Sequence, residues 1–148
     1  MVTSSGVRGV FGEGLTTEVV RSFAQSYGLY CRSGRVVVGR DSRISGPALH
    51  AAVTTGLTSV GCDVADLGIV PTPTTKIATQ KMSADGGIVI TASHNPQEWN
   101  GLKMLSEDGL FLDEEQGSQV LQIYNSPNRI TEPARSPGKV TTDRKSVV

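Results

Sequence analysis

Apolar positions first fall into register after residue 16. Val19, Val20, Phe23, Ala24 and Tyr27 lie on one stripe at helical spacing, with Thr16 or Thr17 placed to cap and Glu18 in the first turn. The segment before it, residues 3–14, is rich in Gly and Ser and predicts a loop. Gly34 ends the helix connection, and Val36-Val37-Val38 is a β-branched apolar run that predicts a buried strand. The polar stretch Gly39-Arg40-Asp41-Ser42-Arg43 stops that strand. Ser45 as N-cap and Pro47 in the first turn predict a second helix, with Ala48, Leu49, Ala52, Val53, Gly56, Leu57 and Val60 as its apolar face and Gly61 as its end. Residues 62–68 alternate and predict a strand. Pro71-Thr72-Pro73 opens a third helix that runs to about Met82, and residues 87–91 form another buried strand. A polar loop over 92–100 leads to a strand over 101–105, a turn at Glu107-Asp108-Gly109, and a last helix over 113–124.

Strands that alternate with helices of this length predict an α/β layered sheet with mainly right-handed crossovers. The tail over 126–148 holds three prolines, scattered charges and few apolar residues, and predicts a linker or disorder. With 148 residues, the chain has room for one domain with a real core and hardly for two.

Composition narrows the function. Fourteen basic and fourteen acidic residues leave a formal net charge of zero, so the chain lacks the basic excess of a nucleic-acid or membrane-surface protein. An anion site must therefore be local. Cys31 and Cys62 form no CxxC pair, which argues against zinc and for buried thiols in a reducing compartment. No apolar run reaches the roughly 20 residues that cross a bilayer, and the start lacks the pattern of a signal peptide. The expected location is the cytoplasm.

Four segments carry candidate chemistry. Thr91-Ala92-Ser93-His94-Asn95-Pro96 follows a buried strand and places a hydroxyl, an imidazole and an amide on a loop that Pro96 stiffens. Loops at the carboxyl ends of strands are where open α/β sheets bind ligands. Neighbours on an extended backbone point apart, so His94 is not thereby the activator of Ser93. No G-x-S-x-G elbow accompanies the serine, which weighs against a hydrolase. In Gly39-Arg40-Asp41-Ser42-Arg43 the arginines either bind phosphate or form an ion-pair loop organised by Asp41. In Ser4-Ser5-Gly6-Val7-Arg8-Gly9 glycines around one arginine suit a converging anion site, or a mobile N-terminus. Lys103, in Asn100-Gly101-Leu102-Lys103, is either an acid/base or phosphate-contacting group, or a solvent-facing strand lysine.

Taken together and in this order, the four segments resemble the first domain of the α-D-phosphohexomutases, the family of phosphoglucomutase, phosphomannomutase and phosphoglucosamine mutase. The family's F-G-T-S-G-I-R-G opening is matched by residues 2–9, its V-G-R-D-x-R by 38–43, and its G-x-x-P-T-P turn by 68–73. Its T-A-S-H-N-P and N-G-x-K are matched by 91–96 and 100–103. The resemblance implies a three-layer α/β domain over residues 1–125, with a mixed, mainly parallel sheet between helices, and a linker or disordered tail over 126–148.

The resemblance also implies a reaction: interconversion of hexose 1- and 6-phosphates through a phosphoserine at Ser93 and a hexose bisphosphate intermediate, with magnesium held in part by the Ser93 phosphate. The catalytic roles fall on Ser93, Lys103, Arg8 and His94. Substrate and phosphate contacts fall on Ser5, Arg8, Asn95 and Lys103. Arg40, Asp41 and Arg43 fall to structural support. The family's D-G-D-x-D-R metal loop, G-E-x-S-G-H sugar loop and R-x-S-G-T-E-P phosphate loop belong to further C-terminal domains and have no match here. The isolated chain is therefore expected to be inactive, and self-association through a face meant for the missing domains is expected. Arg43-Ile44-Ser45-Gly46 and Ala92 resemble the phosphoglucosamine mutase branch, with glucose and mannose phosphates left open. The competing readings are a non-catalytic binding module with a mutase-like fold, and a stand-alone phosphatase that uses Ser93.

Overall fold

The computed structural model describes residues 1–126 and 137–142. Strands β1 (Val2–Thr3), β2 (Gly6–Val10), β3 (Arg35–Arg40), β4 (Asp63–Ile69), β5 (Gly86–Ile90), β6 (Trp99–Leu105) and β7 (Val140–Thr142) form one sheet in the order β1-β2-β6-β5-β3-β4-β7. The sheet is mixed. β5, β3, β4 and β7 run parallel, while β1, β2 and β6 join antiparallel. Among the described residues four helices flank the sheet: α1 (Thr17–Tyr30), α2 (Gly46–Ser59), α3 (Thr72–Lys81) and α4 (Glu114–Asn125).

The run Val36-Val37-Val38 explains the layering. Successive strand side chains point to opposite faces, and all three valines are buried, so both faces of β3 must be covered. Val36 and Val38 pack with Val20, Phe23, Tyr27, Leu49, Val53 and Val120 from α1, α2 and α4. Val37 packs on the other side with Ala78 of α3, together with Ala65 and Leu67. The predicted α1 stripe holds: Thr16 caps through its hydroxyl, and Val20, Phe23, Ala24 and Tyr27 are buried while Val19 is half-buried. Asp113 and Gln116 close a reciprocal capping box on α4.

Tyr27 ties α1 to the sheet. Its hydroxyl donates to the Leu105 carbonyl and accepts from the Gly87 N–H, two groups that face each other across β5 and β6. Tyr27→Phe leaves both buried backbone groups without a partner, at about 1–3 kcal/mol each. Urea unfolding of the variant is expected to show a lower midpoint with an unchanged slope, a loss of about 2–6 kcal/mol in unfolding free energy.

Several expectations are corrected. Residues 3–14 are not all loop, because β1 and β2 lie there. Gly6 and Gly9 hide the strand pattern, and the pairing comes from β6, where Val7, Arg8, Gly9 and Val10 face Leu102, Gly101, Asn100 and Trp99. Ser45 occupies the N-cap of α2 but makes no capping bond; its hydroxyl accepts from the Asn100 side chain at 2.8 Å. Ala48 is exposed rather than on the buried face of α2. Within 126–148, Val140–Thr142 pair parallel with β4 as an edge strand. Its three residues are exposed, so backbone hydrogen bonds hold it and no apolar pattern announces it. Residues 127–136 and 143–148 of that segment lie outside the described residues.

Cys31 and Cys62 are buried and free. Burial pushes both thiols up to about 12, so neither supplies a thiolate nucleophile near neutral pH. Among the described residues no helix is long and apolar enough to cross a membrane.

Candidate active site

β2 and β6 set the floor of a cleft of about 300 Å³. Val7 and Leu102 turn into the core beneath α1, α2 and α4, so the alternate residues Arg8 and Lys103 turn to the other face. Arg8 stands opposite Gly101. Gly6 is packed against the backbone of Leu102 and Lys103, where a Cβ has no room. Gly101, across from Arg8, adds no side chain of its own to the cleft. The cleft lining includes Ser5, Arg8, Thr91, Ser93 and Lys103, and no carboxylate. In a chain of zero net charge, this is a local concentration of positive charge and hydroxyls, suited to an anion.

Ser93 lies at the end of β5, on the exposed tip of its loop. The Lys103 ammonium donates to the Ser93 hydroxyl at 3.1 Å. The same ammonium lies 5.5 Å from the centre of the Phe111 ring, whose other neighbouring cation is Lys76 at 4.6 Å. Ser93 has φ of +54°, a left-handed conformation that is unfavourable for a residue with a Cβ.

Behind the loop sits Arg43, 9% exposed. All five of its guanidinium N–H groups are used. Nε donates to Asp41 Oδ2 at 3.2 Å; one terminal nitrogen donates to the carbonyls of Pro96 at 2.6 Å and Trp99 at 3.1 Å. The other donates to the carbonyls of Ser93 and Asn95, both at 2.8 Å. Asp41 also accepts from the Arg43 backbone N–H at 3.1 Å and from the Thr91 hydroxyl at 2.8 Å. Arg40 contributes one longer bond, to the Asp41 carbonyl at 3.3 Å.

The fold thus brings Ser5, Arg8, Ser93 and Lys103 to one cleft. His94 is exposed and is not among the residues lining it. Asn95 enters through its backbone, whose N–H donates to the Ala92 carbonyl and whose own carbonyl meets Arg43. Thr91 has a part that the sequence reading did not assign: it links Asp41 to the Ser93 N–H at 3.0 Å. A Thr two positions before the serine, at the end of an apolar strand, is the signal that was available.

The geometry can be set beside known proteins. Residues 1–130 match the family model described as phosphoglucomutase/phosphomannomutase, alpha/beta/alpha domain I. A phosphoglucomutase/phosphomannomutase of Thermococcus kodakarensis is 48% identical over 126 residues, which cover 82% of this chain and 28% of that protein. A phosphoglucosamine mutase of Clostridioides difficile is 46% identical over 131 residues, covering 86% of this chain and 29% of that one. The crystal structure of a phosphoglucomutase/phosphomannomutase family protein from Burkholderia thailandensis superimposes with a TM-score of 0.78 at 31% identity, over 96% of this chain and 33% of the other. The chain spans less than a third of the length of these relatives.

Proposed function

Because the chain belongs to the phosphoglucomutase/phosphomannomutase family as its α/β/α domain I, we propose that it carries the phosphoryl-bearing serine of a hexose phosphate mutase, at Ser93. The observation that carries this reading is the 3.1 Å bond from Lys103 to the Ser93 hydroxyl in a cleft lined by Arg8 and no carboxylate. When phosphoserine donates, the P–Oγ bond breaks as a bond from phosphorus to a sugar oxygen forms. The sugar hydroxyl gives up its proton, and Oγ must regain one. Lys103 is within reach to hold a proton at Oγ, and its positive charge offsets the charge that develops there. Arg8 supplies a second cation for phosphate oxygens. The reverse step, on the bisphosphorylated sugar, restores phosphoserine.

Magnesium demands oxygen ligands, with carboxylates prominent among them. Among the described residues there is no group of three His, Cys, Asp or Glu able to hold a metal, and the cleft shows none of these side chains. The described donors of this chain therefore do not fit the ion on their own. In the reading advanced here, Ser93 offers it one phosphate oxygen, and the other ligands come from domains like those that the longer relatives carry.

Within the same reading the substrates are hexose phosphates and a hexose bisphosphate, and the compartment is reducing and cytoplasmic, which suits two buried free thiols. The exposed Ile44, Ile69, Ile77, Leu110 and Phe111 are candidates for the face that meets the further domains or drives self-association. The phosphatase alternative gains nothing from the cleft, since no carboxylate or neighbouring imidazole stands ready to activate water there.

The test joins this chain to the remaining domains of the Thermococcus kodakarensis relative and supplies a hexose bisphosphate carrying labelled phosphate. Label is expected on the peptide that contains Ser93, with turnover compared among glucosamine, glucose and mannose phosphates. Active enzyme without label on that peptide would sink the proposal.

A further inference from the structure

We propose that Arg43 is a positioning residue for Ser93, acting with Asp41 and Thr91 to hold the serine in the left-handed conformation from which its hydroxyl meets Lys103. The inference rests on the reading of Ser93 as phosphoryl carrier and deepens it, by naming what aims that carrier.

The hydrogen bonds form a closed circuit through one residue. The Ser93 N–H donates to the Thr91 hydroxyl, and the Thr91 hydroxyl donates to Asp41 Oδ2. The Arg43 Nε–H donates to the same Asp41 oxygen, and an Arg43 terminal nitrogen donates to the Ser93 carbonyl. Both backbone polar groups of Ser93 are thereby tied to one arginine–aspartate pair. A rotation of Ser93 from φ of +54° toward the extended region swings its N–H and carbonyl relative to each other and breaks the circuit. A left-handed serine is unfavourable alone and persists where its surroundings over-determine it. Here three more carbonyls, those of Asn95, Pro96 and Trp99, anchor the same guanidinium, so Arg43 cannot follow a drifting Ser93.

Arginine is the side chain this requires. Its planar fork reaches four carbonyls and a carboxylate from fixed directions, whereas a lysine ammonium has three donors at one point. Phosphoryl transfer demands in-line placement of Oγ, and a misplacement of about 1 Å lowers rate by about 100-fold. Ser93 is exposed and has no wall of packed side chains to aim it, so the circuit beneath it supplies the aim.

The test uses Thr91→Val, which keeps the shape and removes the hydroxyl, and Arg43→Lys, which keeps the charge and removes the fork. In the labelled 148-residue chain, NMR coupling constants and carbon shifts report φ at Ser93. Both variants are expected to move these toward extended values. In the enzyme completed with the relative's domains, kcat is expected to fall about 100-fold while KM changes little. Tyr27→Phe, which loosens the fold without touching any member of the circuit, serves as the control for stability loss: Ser93 keeps its left-handed signature and kcat stays parental. A folded Thr91→Val that retains the left-handed signature, or that loses it with parental kcat, overturns the inference, and this holds if Arg43→Lys fails to fold. Undiminished turnover in Ser93→Ala would instead overturn the carrier reading, an outcome separable from the NMR result.

Discussion

Ser93→Ala, in the chain completed with the domains of a matching mutase, is expected to lose turnover by about 10⁴-fold or more, the scale set by removing a covalent nucleophile. The substitution takes away the only atom of residue 93 that accepts from Lys103. It leaves the Arg43 and Thr91 bonds in place, because both run to the backbone of residue 93. The fold should therefore survive unchanged: thermal unfolding of parent and variant is expected to coincide within about 0.5 kcal/mol, as for an exposed side chain. Loss of activity with an intact melting curve separates chemistry from structure. Equal turnover in both proteins would return the serine loop to a structural role and favour a binding module with a mutase-like fold.

Arg43→Met is expected to destabilise the domain by about 3–5 kcal/mol, because it strips a largely buried guanidinium from its carboxylate and leaves acceptors without donors. Asp41 loses its cationic partner while keeping the Thr91 hydroxyl and the residue-43 N–H, and the carbonyls of Ser93, Asn95, Pro96 and Trp99 lose the guanidinium at once. At about 2–4 °C per kcal/mol for a chain of this size, Tm should fall by roughly 10 °C. Arg40→Ala is the contrast. Its one bond, to the Asp41 carbonyl at 3.3 Å, predicts a loss below about 1 kcal/mol. Differential scanning calorimetry reads both. A shift below about 2 °C for Arg43→Met would show that the loop carbonyls rehydrate without penalty, and the loop would then be held by Pro96, the strand ends and the Thr91 bonds. The family resemblance assigns Arg40 and Arg43 alike to structural support. The structure divides them sharply: only Arg43 spans the gap between the loop after β3 and the loop after β5.

Much of the fold was legible because its elements carry their own period. The stripe of Val20, Phe23, Ala24 and Tyr27 states a helix with one buried face, and Thr16 and Asp113 state where helices begin. Three consecutive buried valines require a strand covered on both sides. The order of strands and helices then implies the layers. The candidate site was legible as a set of segments, since Ser93 with Lys103, and Arg8 with its glycines, stand in short runs whose composition suits an anion.

Other features left no local trace. β2 carries two glycines and an exposed arginine among five residues, so its side chains show no apolar alternation; pairing with β6 makes it a strand. β7 is exposed throughout and is held by backbone bonds to β4. Ser45 has the composition of a cap, yet Asn100, distant in sequence, takes its hydroxyl.

Local sequence was enough for the four helices, the strands β3 to β6, most of the core, and the few side chains that carry charge or a hydroxyl in an anion-binding pattern. These are properties of spacing and side-chain chemistry, and they are written locally. It took the assembled sheet to put Arg8 and Lys103 beside the same cleft, to leave His94 outside it, and to bring an arginine about fifty residues away onto the Ser93 carbonyl. Those outcomes depend largely on backbone carbonyls and N–H groups, which nearly all residues share and no sequence pattern distinguishes. Their partners are chosen when the sheet brings distant loops within hydrogen-bonding reach.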